Sequence, residues 1–384
     1  MILKVIFPIV LVLLLTVFYF DRTYWRNGRF WKRAVGWTLA IFSLYATIFM
    51  AARRDYFPDD FTLLFRYMDL LFVLIVPASL FALCSFIGRR LKRQRQGEWT
   101  GLGLALVVAL FYLYGMYVGS RKMEVTQVSF AHKDVPKAFD GYKIVQLSDV
   151  HVGSLNGSRQ ELLRECVERI NNEHADLVVF TGDLQNKRAD EIEPHRQLLS
   201  SIKAKDGVVA VLGNHDYAEY MSGTKAEKDS CVQLTVRAIE QLGWTLLRNE
   251  HLVIRRGNDS IVVAGMENDG EGRFPQLGDI KKTLEGVGEG AFILMLEHDP
   301  TSWHRKIVPY SHAQLTLSGH THGGQLSLFG WSPVSFVYSE YNGMYHNGRH
   351  SLYVSKGLGG VLPFRLGATG EIVVITLNSQ LSTQ

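Results

Sequence analysis

The sequence predicts two regions of different fold class: a segment of four transmembrane helices, then an α/β domain of two packed mixed β-sheets flanked by helices. Two observations carry this reading. Four apolar runs crowd the first third of the 384 residues, and from about residue 142 short apolar strands alternate with amphipathic helices. The composition shifts near residue 120, which gives a transmembrane region 1–122 and a globular domain 123–384.

The apolar runs cover residues 2–20, 34–52, 70–87 and 101–118. Each is close to the roughly 20 residues that a helix needs to cross a bilayer, and none carries a charge at its centre. A cleaved leader is the competing reading of the first run, but no small-residue cleavage site follows Phe20. The chain continues Asp21-Arg22-Thr23-Tyr24-Trp25, an aromatic and basic flank suited to a membrane interface. Arg22, Arg26, Arg29, Lys32 and Arg33 follow the first span, and Arg89, Arg90, Lys92, Arg93 and Arg95 follow the third, so both loops are expected in the cytoplasm. The loop after the second span mixes Arg53, Arg54 and Arg66 with Asp55, Asp59 and Asp60. Four spans then leave both termini and the globular domain outside the cytoplasm.

The net charge of +4 divides unevenly. Residues 1–122 hold 16 Lys/Arg against 6 Asp/Glu, and residues 123–384 hold 25 against 31. The basic excess belongs to the membrane loops, so nucleic acid is not an expected partner of the globular domain. Cys84 lies in a span, and Cys166 and Cys231 have no paired spacing, so no disulfide framework or thiolate metal site is expected, while a single Cys166–Cys231 pairing stays open.

In the globular domain, residues 143–147 form the first strand. Ser158 with Glu161 makes a capping-box pattern ahead of Leu162, Leu163, Cys166, Val167 and Ile170, so a helix follows. Residues 176–180 and 208–212 are the next strands, then a helix around 232–242. Strands at 261–264, 292–296, 315–317, 352–354 and 372–377 complete the pattern, with a further strand-like stretch at 125–130.

Metal-binding residue types stand at the strand ends. Asp149 and His151 follow the first strand; two apart on an extended segment, they leave on the same face. Gly182-Asp183 follows the second strand and Gly213-Asn214-His215-Asp216 the third. His298 follows residues 292–296, and Gly319-His320-Thr321-His322-Gly323-Gly324-Gln325 follows 315–317. An isolated Asp-x-His pair reads as a solvated loop, whereas its recurrence at one strand end after another points to metal. Asp149, His151, Asp183, Asn214, His298, His320 and His322 offer oxygen and nitrogen donors without a thiolate, which suits Mn, Fe, Zn or Co. They are too many for one tetrahedral ion and suit two divalent ions about 3.5–4 Å apart, bridged by one carboxylate.

The order Asp-x-His, Gly-Asp, Gly-Asn-His-Asp, His, Gly-His-x-His resembles the calcineurin-like metallophosphoesterases over about residues 142–377. The strings Leu147-Ser148-Asp149, residues 319–325 and Ser355-Lys356-Gly357-Leu358-Gly359 look most like the bacterial membrane-associated branch, some of whose members act on lipid-linked phosphoesters. The resemblance implies a four-layer αββα fold and a phosphoester hydrolase of the bacterial inner membrane. It further implies a first metal held by Asp149, His151, Asp183 and His322, and a second by Asp183, Asn214, His298 and His320, with Asp183 bridging. His215 takes the role of proton donor or transition-state stabiliser, with Asp216 orienting its ring. A metal-activated water is the implied nucleophile, and no Gly-x-Ser-x-Gly elbow offers a covalent alternative.

His132, His174, His195, His251, His304, His312, His346 and His350 belong to no such constellation. The aromatic stretch Trp331, Phe336, Tyr338, Tyr341 and Tyr345 is expected in the core rather than lining a pocket. Rival readings are an inert membrane scaffold on the same fold, a hydrolase of water-soluble phosphodiesters, or transport by the spans, which would need charged or broken helices at membrane depth. Residues 119–124 reach only about 20 Å when extended, so the domain is expected at the bilayer surface, with membrane lipids as partners and a lipid-linked phosphoester as substrate. Lys4, Arg121 and Lys122 would add attraction for anionic headgroups.

Overall fold

The computed structural model describes residues 2–52 and 62–379, and the chain divides into two compact units, Met1–Val118 and Gly119–Gln384. The acidic and basic residues Arg53, Arg54, Asp55, Asp59 and Asp60 lie outside the described residues, as do the side chains of Lys4 and Ser158.

Among the described residues of the first unit, four helices are long and apolar enough to cross a membrane: Phe7–Trp25, Phe30–Ala52, Thr62–Arg90 and Gln94–Arg121. The third begins ahead of its apolar run because residues 62–70 continue the same helix through a π-helical turn at Leu71–Ile75. Small residues let the third and fourth helices touch. A Cβ on Gly88 would stand 2.8 Å from the Gly97 Cα, so neither position has room for a side chain. Near the C-terminal end of the first helix, the Asp21 carboxylate accepts bonds from Arg33 Nε at 2.7 Å and Trp37 Nε1 at 3.1 Å, tying the second helix to it.

The second unit holds twelve strands among its described residues: β1 (Met123–Ala131), β2 (Lys143–Leu147), β3 (Leu177–Thr181), β4 (Val208–Val211), β5 (Thr245–Leu246), β6 (Glu250–Arg256), β7 (Asp259–Gly265), β8 (Phe292–Leu296), β9 (Leu315–Ser318), β10 (Gly343–Asn347), β11 (His350–Val354) and β12 (Gly370–Asn378). They form two six-stranded sheets, ordered β1-β12-β2-β3-β4-β5 and β10-β11-β9-β8-β7-β6. Strand periodicity sorts their side chains into layers. Ile144, Leu177 and Val179 meet Phe292, Leu294 and Leu296 between the sheets. The alternating residues Val145, Leu147, Val178 and Phe180 instead face Leu163, Cys166 and Ile170 of the helix Gln160–Asn172. Ile293 and Met295 pack on Trp303 and Ile307 on the far side, which completes four layers.

That helix starts after Arg159, which makes no side-chain cap bond. The helix expected at 232–242 runs from Lys225 to Gln241 behind a capping box of Thr224 and Glu227, because its first two turns are exposed and show no apolar stripe. The sequence does not announce β5, β6 and β10. The first is two residues long, and the other two lie at sheet edges with few buried residues. Cys84, Cys166 and Cys231 are all free thiols.

Candidate metal centre

Strands β2, β3 and β4 run parallel, as do β7, β8 and β9, so the loops bearing the seven donor residues leave corresponding edges of the two sheets. Bonds across the sheets hold those edges together. Gln146 Nε2 donates to the Ser318 carbonyl at 2.9 Å, His298 Nδ1 lies 2.7 Å from the Thr181 carbonyl, and the His320 N–H donates to Asp149 Oδ1 at 3.0 Å.

The expectation that Asp149 and His151 leave an extended segment is not met. Asp149, His151, Asp183, His320 and His322 all have left-handed backbones, with φ between 49° and 72°. Such a conformation costs a non-glycine residue roughly 1–2 kcal/mol. Convergence on one point therefore comes from strained turns stabilised by the surrounding backbone. Asp149 N–H donates to Gly182 O at 2.9 Å, His151 N–H to Asp183 O at 3.1 Å, and Gly359 N–H to Asp149 O at 2.8 Å. Two glycines make space: a Cβ on Gly213 would lie 2.2 Å from Asp183 Oδ1, and one on Gly319 would lie 2.2 Å from Asp149 Oδ2.

Asp183 stands at the middle. Its Oδ2 is 3.6 Å from His151 Nε2 and 3.3 Å from His298 Nε2, while its Oδ1 accepts the His215 N–H at 2.8 Å. On one side, His322 Nε2 is 3.6 Å from Asp149 Oδ1. On the other, Asn214 Oδ1 is 3.1 Å from His298 Nε2 and 2.7 Å from His320 Nδ1. Asp149–His151–His322, Asp149–Asp183–His298 and His151–Asp183–His215 each place one donor atom per residue within 4.8 Å of the others. All seven predicted donors are thus brought together.

These residues fit a divalent ion. His151 is fully buried, and among the described residues neither of its ring nitrogens has a hydrogen-bond partner; the same holds for His322 Nδ1. An unpartnered buried imidazole is costly unless something such as an ion completes its coordination. Burial also pushes the His151 ring down to about 3, the neutral form that ligates metal, and raises Asp149 to about 7 against the opposing pull of His298. A backbone carbonyl can only accept, so His298 carries a proton on Nδ1; its Nε2 faces the Asp183 and Asn214 oxygens, and although burial opposes it, the Asp183 carboxylate holds the ring well above its usual range.

His215 borders this cluster. Its ring meets His151 edge-on at 4.7 Å and stacks on Tyr220 at 4.1 Å, and its Nδ1 lies 2.5 Å from the Asn186 carbonyl. Asp216 does not orient that ring. Its carboxylate accepts the backbone N–H groups of Gly213 and Asp183 at 2.9 Å, Leu184 at 3.1 Å and Gln185 at 3.3 Å, clamping the two ligand loops together. The ring is oriented by Asn186.

Sequence reasoning missed several other supports. Tyr220 accepts Asn214 Nδ2 at 3.1 Å, turning the amide oxygen toward the two histidines, and Tyr338 Oη lies 2.9 Å from His320 Nε2. Ser148 Oγ donates to Asp149 Oδ2 at 2.6 Å. Buried Arg365 donates to the carbonyls of Lys356, Gly357, Gly359 and Ala368, ordering the loop behind Asp149, and burial draws its guanidinium down to about 10. The Ser355–Gly359 string signalled this loop; a single arginine downstream carried no signal of its own.

Residues 142–324 match the calcineurin-like phosphoesterase family. The metallophosphoesterase YkuE of Bacillus subtilis is 33% identical over 285 residues, spanning 72% of this chain and 92% of the relative. The chain belongs to the calcineurin-like phosphoesterases. It is accordingly a phosphoester hydrolase of a family that uses divalent metals. A transmembrane protein with metallophosphoesterase domain from Danio rerio is 29% identical to this phosphoesterase over 83% of its chain and 72% of the relative. A metallophosphoesterase of Aquifex aeolicus is 28% identical over 67% and 93%.

Proposed function

We propose that this phosphoesterase hydrolyses a phospholipid or lipid-linked phosphoester at a membrane surface, with two divalent ions of the Mn, Fe, Zn or Co class. The observation that carries the chemistry is the convergence of donors on both sides of Asp183 Oδ2. Asp149, His151, Asp183 and His322 would hold one ion, and Asp183, Asn214, His298 and His320 the other. Bound there, such ions supply Lewis acidity, drawing charge from phosphate oxygens and making water a nucleophile near neutral pH. His215 serves the leaving oxygen. Its Nδ1 carries the proton donated to the Asn186 carbonyl, so the proton exchanged with a leaving group would be held at Nε2. Burial keeps the ring neutral before substrate binds, and an anionic phosphoester beside Nε2 favours the imidazolium, so the ring takes up a proton from solvent as substrate binds and can pass it to the leaving oxygen.

The membrane part of the reading rests on four bilayer-length helices among the described residues, the last ending at Arg121 just before β1 begins at Met123. The basic loops after the first and third helices support a catalytic unit outside the cytoplasm, in a bacterial inner membrane. A reporter fused at Gln384 should then read extracytoplasmic; cytoplasmic activity would reverse the orientation. For the substrate, turnover of a phospholipid or lipid-linked phosphate in mixed micelles should exceed that of its short-chain soluble analogue. Equal efficiency on both would leave a hydrolase of water-soluble phosphoesters.

A further inference from the structure

We propose that the loop at residues 326–338 is an interfacial anchor: Leu328, Phe329, Trp331, Phe336 and Val337 insert at the headgroup–acyl boundary of the bilayer beside the metal centre. The inference rests on the membrane-surface reading only in that it needs a bilayer within reach.

The loop contradicts the expectation that its aromatics lie in the core. Trp331 is 49% exposed, Phe336 82% and Val337 75%, and Phe329 is fully exposed. Among the described residues of the catalytic unit, nine large apolar side chains are exposed, and five of them fall within residues 328–337. Scattered exposed apolar residues need no explanation, but a contiguous cluster marks a contact surface. Residues 323–339 contain no Asp, Glu, Lys or Arg, so the cluster has no charged member to keep in water.

The backbone presents these side chains. Leu328 and Trp331 exchange N–H···O bonds at 2.8 and 3.0 Å, closing a two-residue turn with Phe329 at φ 53° and Gly330 at φ 82°. Both positions favour glycine or asparagine, yet the apex of this turn is a phenylalanine aimed into solvent. The strain buries nothing within the unit. A short helical turn, Pro333–Phe336, then carries Phe336, whose ring meets Trp331 edge-on at 5.7 Å. Two residues on, Tyr338 reaches the His320 ring at 2.9 Å, and Thr321 Oγ1 donates to Tyr341 O at 2.7 Å. The apolar tip is thus continuous with the wall of the metal centre.

A bilayer fits this tip better than a protein partner does. Trp and Phe without charge are the side chains that settle at the headgroup boundary, and the same chain carries its own membrane helices. The short link alone leaves the orientation of the catalytic unit open; an inserted loop beside His320 would turn the metal centre toward lipid.

The test uses the full chain, with Cys84→Ala, reconstituted in phosphatidylcholine–phosphatidylglycerol liposomes. A polarity-sensitive dye is placed at Phe329→Cys or, as control, at Glu289→Cys, a fully exposed site ahead of β8 and so at the opposite edge of the sheet from His298. Bromolipids should quench the dye at 329 several-fold more than at 289, with blue-shifted emission. Equal quenching at both sites overturns the proposal. So does shielding of 329 from iodide without bromolipid quenching, which would mean a protein surface or second copy covers the loop. Phe336→Cys repeats the measurement if Phe329→Cys fails to fold. The readout is position and not turnover: insertion without preference for lipid phosphoesters would defeat the substrate reading alone, and a lipid preference without insertion would defeat this inference alone.

Discussion

The two sides of the metal centre differ in how far the protein itself orders them. Around Asn214, His298 and His320, the rings are fixed by polar partners: His298 by the Thr181 carbonyl, His320 by Asn214 and Tyr338. Around Asp149, His151 and His322, His151 has no hydrogen bond at either nitrogen among the described residues, and His322 has none at Nδ1. One side is a satisfied network without an ion. The other leaves the buried His151 ring, and the Nδ1 of the half-buried His322, without hydrogen bonds among the described residues, which an ion at this side would compensate. The candidate site thus combines a half preorganised by polar partners with a half that lacks them among the described residues.

Removing what the two sides share should do the most damage. Asp183→Asn takes away the carboxylate that approaches both His151 and His298, and should lose both ions and reduce hydrolysis to background, as measured by elemental analysis and turnover. Two retained ions with near-normal turnover would mean the sides are independent. His215→Ala should keep both ions and lower kcat by about 10²–10⁴-fold. A fall in metal content in this variant would instead place His215 with His151 and Asp183 as a ligand. The smallest effect sharpens the asymmetry: Tyr338→Phe removes the hydroxyl at His320 Nε2 and should weaken one of the two ions by about 10–100-fold in chelator competition. Equal weakening of both, or of neither, would erase the distinction.

The donors are legible in the sequence because parallel strands deliver their C-terminal loops to one edge, so Asp149, Asp183, Asn214, His298 and His320 can be read as strand-end residues. Their turns are not legible. A left-handed Asp or His carries no local signature, since the backbone bonds that impose it come from loops far along the chain, such as Gly359 on Asp149. Asp216 is similarly opaque: adjacency to His215 suggests a ring partner, while the fold aims its carboxylate at four backbone N–H groups. The loop at 326–338 misleads for a third reason. Aromatic residues mark burial on average, and which of them stay exposed is decided by a two-residue turn and not by composition.

One feature of the first sheet bears on how the enzyme is made. Strand β12 fills the gap between β1 and β2, with Met123 against Gly370 and Gln146 against Val373. The ribosome therefore completes the membrane helices, β1 and β2 long before it supplies the strand that joins those two. At about 5–20 residues per second, the nascent unit waits roughly 10–50 s with two unpaired strand edges. Such edges are templates for aggregation, so a polypeptide that stalls before residue 370 is expected to aggregate rather than to act as a partly active enzyme.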